Sequence, residues 1–79
     1  MYTLYIKPEC PFCQKAIKFL DSKQLQYTRI NVYDYGGKDK VVQDLYNKNF
    51  LKKLQHTVPI VFKNKRYIGG CDDLLQTKI

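Results

Sequence analysis

Three side chains in this sequence are potential sulfur nucleophiles, Cys10, Cys13 and Cys71, and the first two are spaced Cys10-Pro11-Phe12-Cys13. Two thiols at this spacing either exchange electrons as a dithiol and a disulfide or supply two ligands to a metal. A structural zinc site wants about four ligands. Only Cys71 and His56 could complete that set, and neither forms a second closely spaced pair. An iron–sulfur cluster within one chain meets the same shortage of ligands. The spacing therefore favours redox chemistry with no metal. A small secreted disulfide scaffold would usually carry an even set of about four to eight cysteines. The cysteine usage here instead fits a reducing, cytoplasmic compartment.

For this chemistry one thiol must be held as a nucleophile and the other behind it. Tyr2-Thr3-Leu4-Tyr5-Ile6 is a β-branched and aromatic run that predicts a strand, ended by Pro8. A helix is predicted from Pro11 to Lys23, with proline at the first helical position, where its missing N–H has no partner to lose. Ala16, Ile17 and Leu20, with Phe12, Cys13 and Phe19, form its apolar face, and Lys15, Lys18, Asp21 and Ser22 face water. Cys10 then lies at a helix N-terminus, beside unpaired N–H groups and the positive end of the helix dipole, both of which favour a thiolate. Lys7 adds a positive charge. Cys13 is one turn further in on the same face, placed to attack a mixed disulfide on Cys10.

The remaining elements follow from the same rules. A second strand is expected over Gln26–Tyr33, a loop over Asp34–Gly37, and a second helix over Lys38–Leu54, with Val41, Val42, Leu45, Tyr46, Asn49, Phe50 and Leu54 near helical period and an interruption expected around Asn47–Asn49. Pro59–Lys63 predicts a third strand. Asn64-Lys65 is a tight turn into a fourth, Arg66-Tyr67-Ile68, and Gly69-Gly70 turns the chain into a last helix to Lys78. The strand–helix–strand start implies a parallel pair with a right-handed crossover, and the two-residue turn implies an antiparallel hairpin. Both are satisfied by an α/β chain with the minimal thioredoxin fold, a four-stranded mixed sheet flanked by helices, forming one domain over residues 1–79.

Three segments, Lys7-Pro8-Glu9-Cys10-Pro11-Phe12-Cys13, Thr57-Val58-Pro59-Ile60-Val61-Phe62 and Ile68-Gly69-Gly70-Cys71-Asp72-Asp73-Leu74, occur in this order, and through them the chain resembles the glutaredoxins over nearly its whole length. The resemblance implies a glutathione-dependent oxidoreductase that reduces glutathione mixed disulfides and protein disulfides, with Cys10 and Cys13 catalytic. It implies a cis Val58–Pro59 bond opposite the cysteines, with Thr57 and the Val58 backbone gripping the cysteinyl part of glutathione. It assigns the γ-glutamyl carboxylate to the backbone N–H groups of Asp72 and Asp73 beside Gly70, and the γ-glutamyl ammonium to the Asp73 side chain. Lys7 matches a family lysine for the glycyl carboxylate. Gln43 is paired with a family glutamine across an insertion before Thr57, and Lys38 and Lys40 are other candidates. Phe12 stands where tyrosine is common and can still pack on glutathione. Cys71 also occurs in some members, as a small packed residue or a secondary thiol. His56 is expected to be a loop residue.

The chain has 79 residues, 44% hydrophobic and 27% charged, the composition of a globular domain rather than a disordered one. No run approaches the roughly 20 apolar residues of a membrane span, and the N-terminal segment lacks the pattern of a signal peptide. The formal net charge of +7 suits anionic ligands, but no basic run or aromatic platform supports nucleic-acid binding. The expected partners are glutathione and proteins carrying disulfides or glutathione adducts, met by a monomer. The rival readings are a redoxin reduced by thioredoxin reductase, an iron–sulfur carrier built from Cys10 and glutathione across a dimer, and a nucleic-acid-binding module.

Overall fold

In the computed structural model, which describes residues 1–76, the chain runs through β1 (Tyr2–Ile6), α1 (Pro11–Ser22), β2 (Tyr27–Asn31), a 3₁₀ turn (Val32–Tyr35), α2 (Lys38–Asn47), β3 (Ile60–Lys63), β4 (Arg66–Gly69) and α3 (Cys71–Leu75). The four strands form one sheet in the order β2-β1-β3-β4. β1 and β2 are parallel, with Tyr2 opposite Tyr27 and Ile6 opposite Asn31. β3 is antiparallel to β1 and to β4, with Tyr5 opposite Ile60 and Lys63 opposite Arg66. This is the mixed sheet that the crossover and the hairpin turn require.

β1 sorts its side chains by the two-residue period of a strand. Tyr2, Leu4 and Ile6 are buried with Cys13, Ala16, Ile17 and Leu20 of α1 and with Cys71 and Leu74 of α3. On the opposite face Tyr5 packs beside Ile60, Phe62, Val41, Val42 and Leu45. The helices therefore cover both faces, α1 and α3 on one and α2 on the other. β1 and β3 are central, so the loops at the C-terminal end of β1 and the N-terminal end of β3 lie side by side. These loops carry Cys10 and Pro59.

Several boundaries differ from the expectations. β2 stops at Asn31, whose side chain accepts the Tyr33 N–H at 2.9 Å and caps the 3₁₀ turn that follows. Phe12 does not join the apolar face of α1: it is 59% exposed. α2 ends at Asn47, at the expected interruption, and does not resume towards Leu54. Asn49 takes φ +64, and the Phe50 N–H reaches back to the Leu45 carbonyl at 3.0 Å, a left-handed closure that ends a helix without glycine. Beyond it the helical period is lost, so Leu51 is buried while Phe50 and Leu54 are exposed; Tyr46, still within α2, is exposed as well. α3 ends at Leu75, and the expected continuation to Lys78 falls partly outside the described residues.

Candidate active site

The segment between β1 and α1 is built to present one sulfur. The Cys10 N–H donates to the Lys7 carbonyl at 3.2 Å, closing a turn around Pro8 and Glu9, and the Cys10 carbonyl accepts the Gln14 N–H at 3.2 Å. Cys10 is thus the N-cap residue of α1, in extended conformation, with Pro11 at the first helical position. No side chain caps α1 there, and its first turn carries no acid. Nothing in that turn competes with a sulfur anion for the N–H groups and the dipole. The nearby Glu9 is engaged elsewhere, accepting the Tyr33 hydroxyl. The Cys10 thiol itself reaches across to the Val58 carbonyl at 3.6 Å.

The other two thiols have different surroundings. Cys13 is fully buried in the core beneath Cys10. Burial, first of all, pushes its thiol up to about 12; a hydrogen bond from the Lys7 backbone opposes this, while the hydrogen bond with Cys10 and the charges of Cys10 and Cys71 add to it. Cys71 is also buried and is raised chiefly by burial, with Lys15 opposing and Asp72 and Cys10 adding. Cys10 is only half-buried. Of the three it is the least buried.

A groove of about 290 Å³ is lined by Phe12, Lys53, Gln55, Thr57, Val58, Pro59, Gly70, Cys71, Asp72 and Asp73; Cys10 and Cys13 are not lining residues, and Cys10 meets the groove through the Val58 carbonyl. One wall is the Thr57–Pro59 segment, in which the Val58–Pro59 peptide is cis. The other is the turn into α3. There the Asp73 carboxylate accepts the Gly70 N–H at 3.0 Å, and Asp72 and Asp73 occupy the first helical turn. Gly69 makes this closure possible. Its φ is +134, and a Cβ there would lie 2.2 Å from an Asp73 carboxylate oxygen.

Eight of the residues named from sequence therefore line one groove: Phe12, Thr57, Val58, Pro59, Gly70, Cys71, Asp72 and Asp73. Lys7 is half-buried in the turn before Cys10 and is not among the lining residues. Gln43 is exposed on α2 and donates to Asn47 at 2.9 Å, and it does not line the groove. Lys38 and Lys40 pair with Asp39 and Asp44 on the same helix. His56 is exposed. Sequence reasoning missed Lys53 and Gln55. Lys53 is half of a Lys-Lys pair with nothing local to single it out, and Gln55 carries no motif. Among the described residues no group of three or more His, Cys, Asp or Glu side chains is placed to hold a metal ion.

An accessible thiol and a buried one on the same turn of α1, at the end of a mixed sheet, give the layout of the thioredoxin-fold thiol–disulfide oxidoreductases, and fold and site together place the chain in that class. A family model described as Glutaredoxin matches residues 2–68, and the chain belongs to the glutaredoxin family. It is 32% identical over 77 residues to a "Probable glutaredoxin" of Acanthamoeba polyphaga mimivirus, covering 92% of this chain and 73% of that one. It is 36% identical over 73 residues to "Glutaredoxin 1" of Rickettsia typhi, covering 90% of this chain and 64% of that one. Among solved structures, a buckwheat glutaredoxin–glutathione complex superposes with a TM-score of 0.78 at 27% identity, covering 95% of this chain and 64% of that one.

Proposed function

We propose that this chain is a dithiol glutaredoxin, which reduces glutathione mixed disulfides and protein disulfides at the expense of glutathione. The observation that carries the reading is the contrast between Cys10, half-exposed beside the groove, and Cys13, fully buried behind it. In the first reaction the Cys10 thiolate attacks the glutathione sulfur of a mixed disulfide. The old S–S bond breaks, the substrate thiolate leaves and takes up a proton, and Cys10 carries glutathione. A second glutathione thiolate attacks that sulfur, releasing glutathione disulfide and restoring Cys10.

A protein disulfide needs both thiols. Cys10 forms the mixed disulfide with one substrate sulfur and frees the other as a thiol. Cys13 then attacks Cys10, its proton passing to the departing substrate thiolate, and a Cys10–Cys13 disulfide remains. Two glutathione molecules reduce this disulfide and leave as one molecule of glutathione disulfide. The raised Cys13 pKa fits this order. A thiol near 12 is almost wholly protonated at neutral pH, so Cys13 does not compete with Cys10 for substrate. Once Cys10 is in a disulfide, it no longer carries the charge that helps hold the Cys13 proton. Cys13 becomes easier to deprotonate at the stage where it is required.

The groove supplies recognition. The Val58 backbone would pair with the cysteinyl residue of glutathione as an added strand does. The N–H groups of Asp72 and Asp73 would hold the γ-glutamyl carboxylate and the Asp73 carboxylate its ammonium, while Lys7, with Lys53 from the facing loop, would provide positive charge for the remaining carboxylate. Phe12, exposed at the mouth, would pack on the ligand. Gln43 remains a candidate only for a ligand that extends towards α2. On this reading residues 1–79 act as one domain, as a monomer, in a reducing cytoplasmic compartment.

The deciding test is reduction of a glutathione mixed disulfide by the purified protein, coupled in parallel to glutathione with glutathione reductase and to thioredoxin reductase. Turnover with the first system alone supports the reading. Turnover with the second alone replaces it by a redoxin that lacks a glutathione groove.

A further inference from the structure

Gln55 is the only buried polar side chain among the described residues, 8% exposed. It lies in the connection between α2 and β3, where the backbone is not yet in the sheet: β3 begins at Ile60. Its amide nitrogen donates to the Thr57 carbonyl at 2.9 Å and to the Pro59 carbonyl at 3.0 Å. These two carbonyls bracket Val58. Its amide oxygen accepts the hydroxyl of Tyr67 on β4. The orientation follows from chemistry, since carbonyls only accept and the NH₂ group must face them. Tyr67 is itself anchored in the second core, its ring centroid 5.7 Å from that of Phe62.

This amide is not there for packing. An apolar side chain would fill the space without the cost of burying a polar group. Instead, the amide nitrogen is committed to two carbonyls of the groove wall and the oxygen to Tyr67 behind it. Gln55 also lies near the other wall: a Cβ on Gly70 would be 3.6 Å from its amide nitrogen and 3.8 Å from the Pro59 carbonyl oxygen. We infer that Gln55, held by Tyr67, is a positioning residue that fixes Thr57-Val58-Pro59 so that Val58 faces Cys10 and offers its backbone to the cysteinyl part of glutathione. This rests on the glutathione reading above.

Three variants test the role. Gln55→Leu keeps the bulk and removes every hydrogen bond. It should raise KM for a glutathione mixed disulfide by about tenfold, the order expected for losing two buried hydrogen bonds, with a smaller change in kcat. Tyr67→Phe removes only the hydroxyl and should raise KM about two- to threefold, in line with one hydrogen bond further out. Gln55→Glu has a carboxyl that donates when protonated and repels the carbonyls when ionised, so its KM relative to wild type should fall as pH is lowered from 8 to 5. A merely structural role predicts a lowered thermal midpoint with KM unchanged in all three and no pH-dependent recovery, and that result overturns the inference. A readout free of substrate separates this failure from failure of the glutathione reading. In NMR spectra of the free protein, Gln55→Leu should broaden or split the Thr57 and Val58 amide signals while those of β1 and α1 keep their positions. Unchanged Thr57 and Val58 signals overturn the positioning role whether or not the protein turns over glutathione.

Discussion

Two helix starts open onto the same groove, and they are finished in opposite ways. At α1 the N-cap residue is Cys10, no side chain closes the end, and the first turn holds no acid. At α3 the end is closed by the helix's own Asp73, which accepts the Gly70 N–H, and both Asp72 and Asp73 stand in the first turn. The open end favours negative charge on a sulfur. The closed end is already balanced by carboxylates, so it suits a zwitterionic group that brings an ammonium for Asp73 and a carboxylate for the backbone N–H groups. On the proposed reading, one end serves bond making and the other recognition. Changes at α1 should therefore act on the rate of the sulfur chemistry, and changes at α3 on the concentration of glutathione needed.

Removing the sulfurs gives the largest effects. Cys10→Ser should abolish reduction of both glutathione mixed disulfides and protein disulfides. Cys13→Ser should keep substantial activity on the former, because external glutathione can release Cys10, and lose most activity on the latter, where a neighbouring thiol at high effective concentration is needed. Steady-state assays with the two substrate types on each variant check this, and loss of both activities in Cys13→Ser would contradict the single-thiol route.

At the other end, Asp73→Asn keeps an acceptor for the Gly70 N–H but loses the charge. A charge-assisted hydrogen bond contributes roughly 1.5–3 kcal/mol, so KM for glutathione should rise about ten- to a hundredfold. The maximal rate should change far less, since this contact is shared by ground and transition states. A fall in rate at unchanged KM would place Asp73 with the chemistry rather than the recognition. Smaller still are the effects of two cations, half-buried Lys7 and exposed Lys53. Lys7→Ala and Lys53→Ala should each weaken glutathione dependence a few-fold, as one partly exposed charge contributes about 0.3–1 kcal/mol. High salt should shrink both effects.

A separate effect concerns alkaline stability. The Cys13 pKa is raised in the fold from 9.0 to about 12. The folded state therefore binds this proton more tightly than the unfolded chain. The associated stability is complete below the unfolded value and is lost as pH rises through the folded one. Thermal midpoints of the reduced protein and of Cys13→Ala should accordingly converge between pH 9 and 12. A constant difference across that range would contradict the raised thiol.

The sequence carried the two ends of this comparison and not the connection between them. Strand β1, the start of α1 and the hairpin into α3 depend on local signals: β-branched alternation, a proline at the first helical position, a two-residue turn, a glycine pair. Between Phe50 and His56 the α2–β3 connection has no such punctuation. The interruption expected around Asn47–Asn49 is made by Asn49 in a left-handed conformation, which asparagine tolerates, but the helical period continued misleadingly beyond it to Phe50 and Leu54. Gln55 stands in a polar stretch, and its partners include Tyr67, twelve residues later on another strand. Lys53 borders the groove only because the chain leaves the helix early. Contacts made by folding, rather than by neighbours in sequence, separate these residues from the legible ones.

The central claim is that Cys10 alone among the three thiols meets the substrate, and it can be measured directly. The reduced protein is treated with a limiting amount of iodoacetamide near pH 6, and the modified cysteines are located by peptide mass spectrometry. Cys10 should be labelled first, because it is half-exposed at an uncapped helix start, whereas Cys13 and Cys71 are buried and hold their protons tightly. Faster labelling of Cys13 or Cys71 would contradict the account.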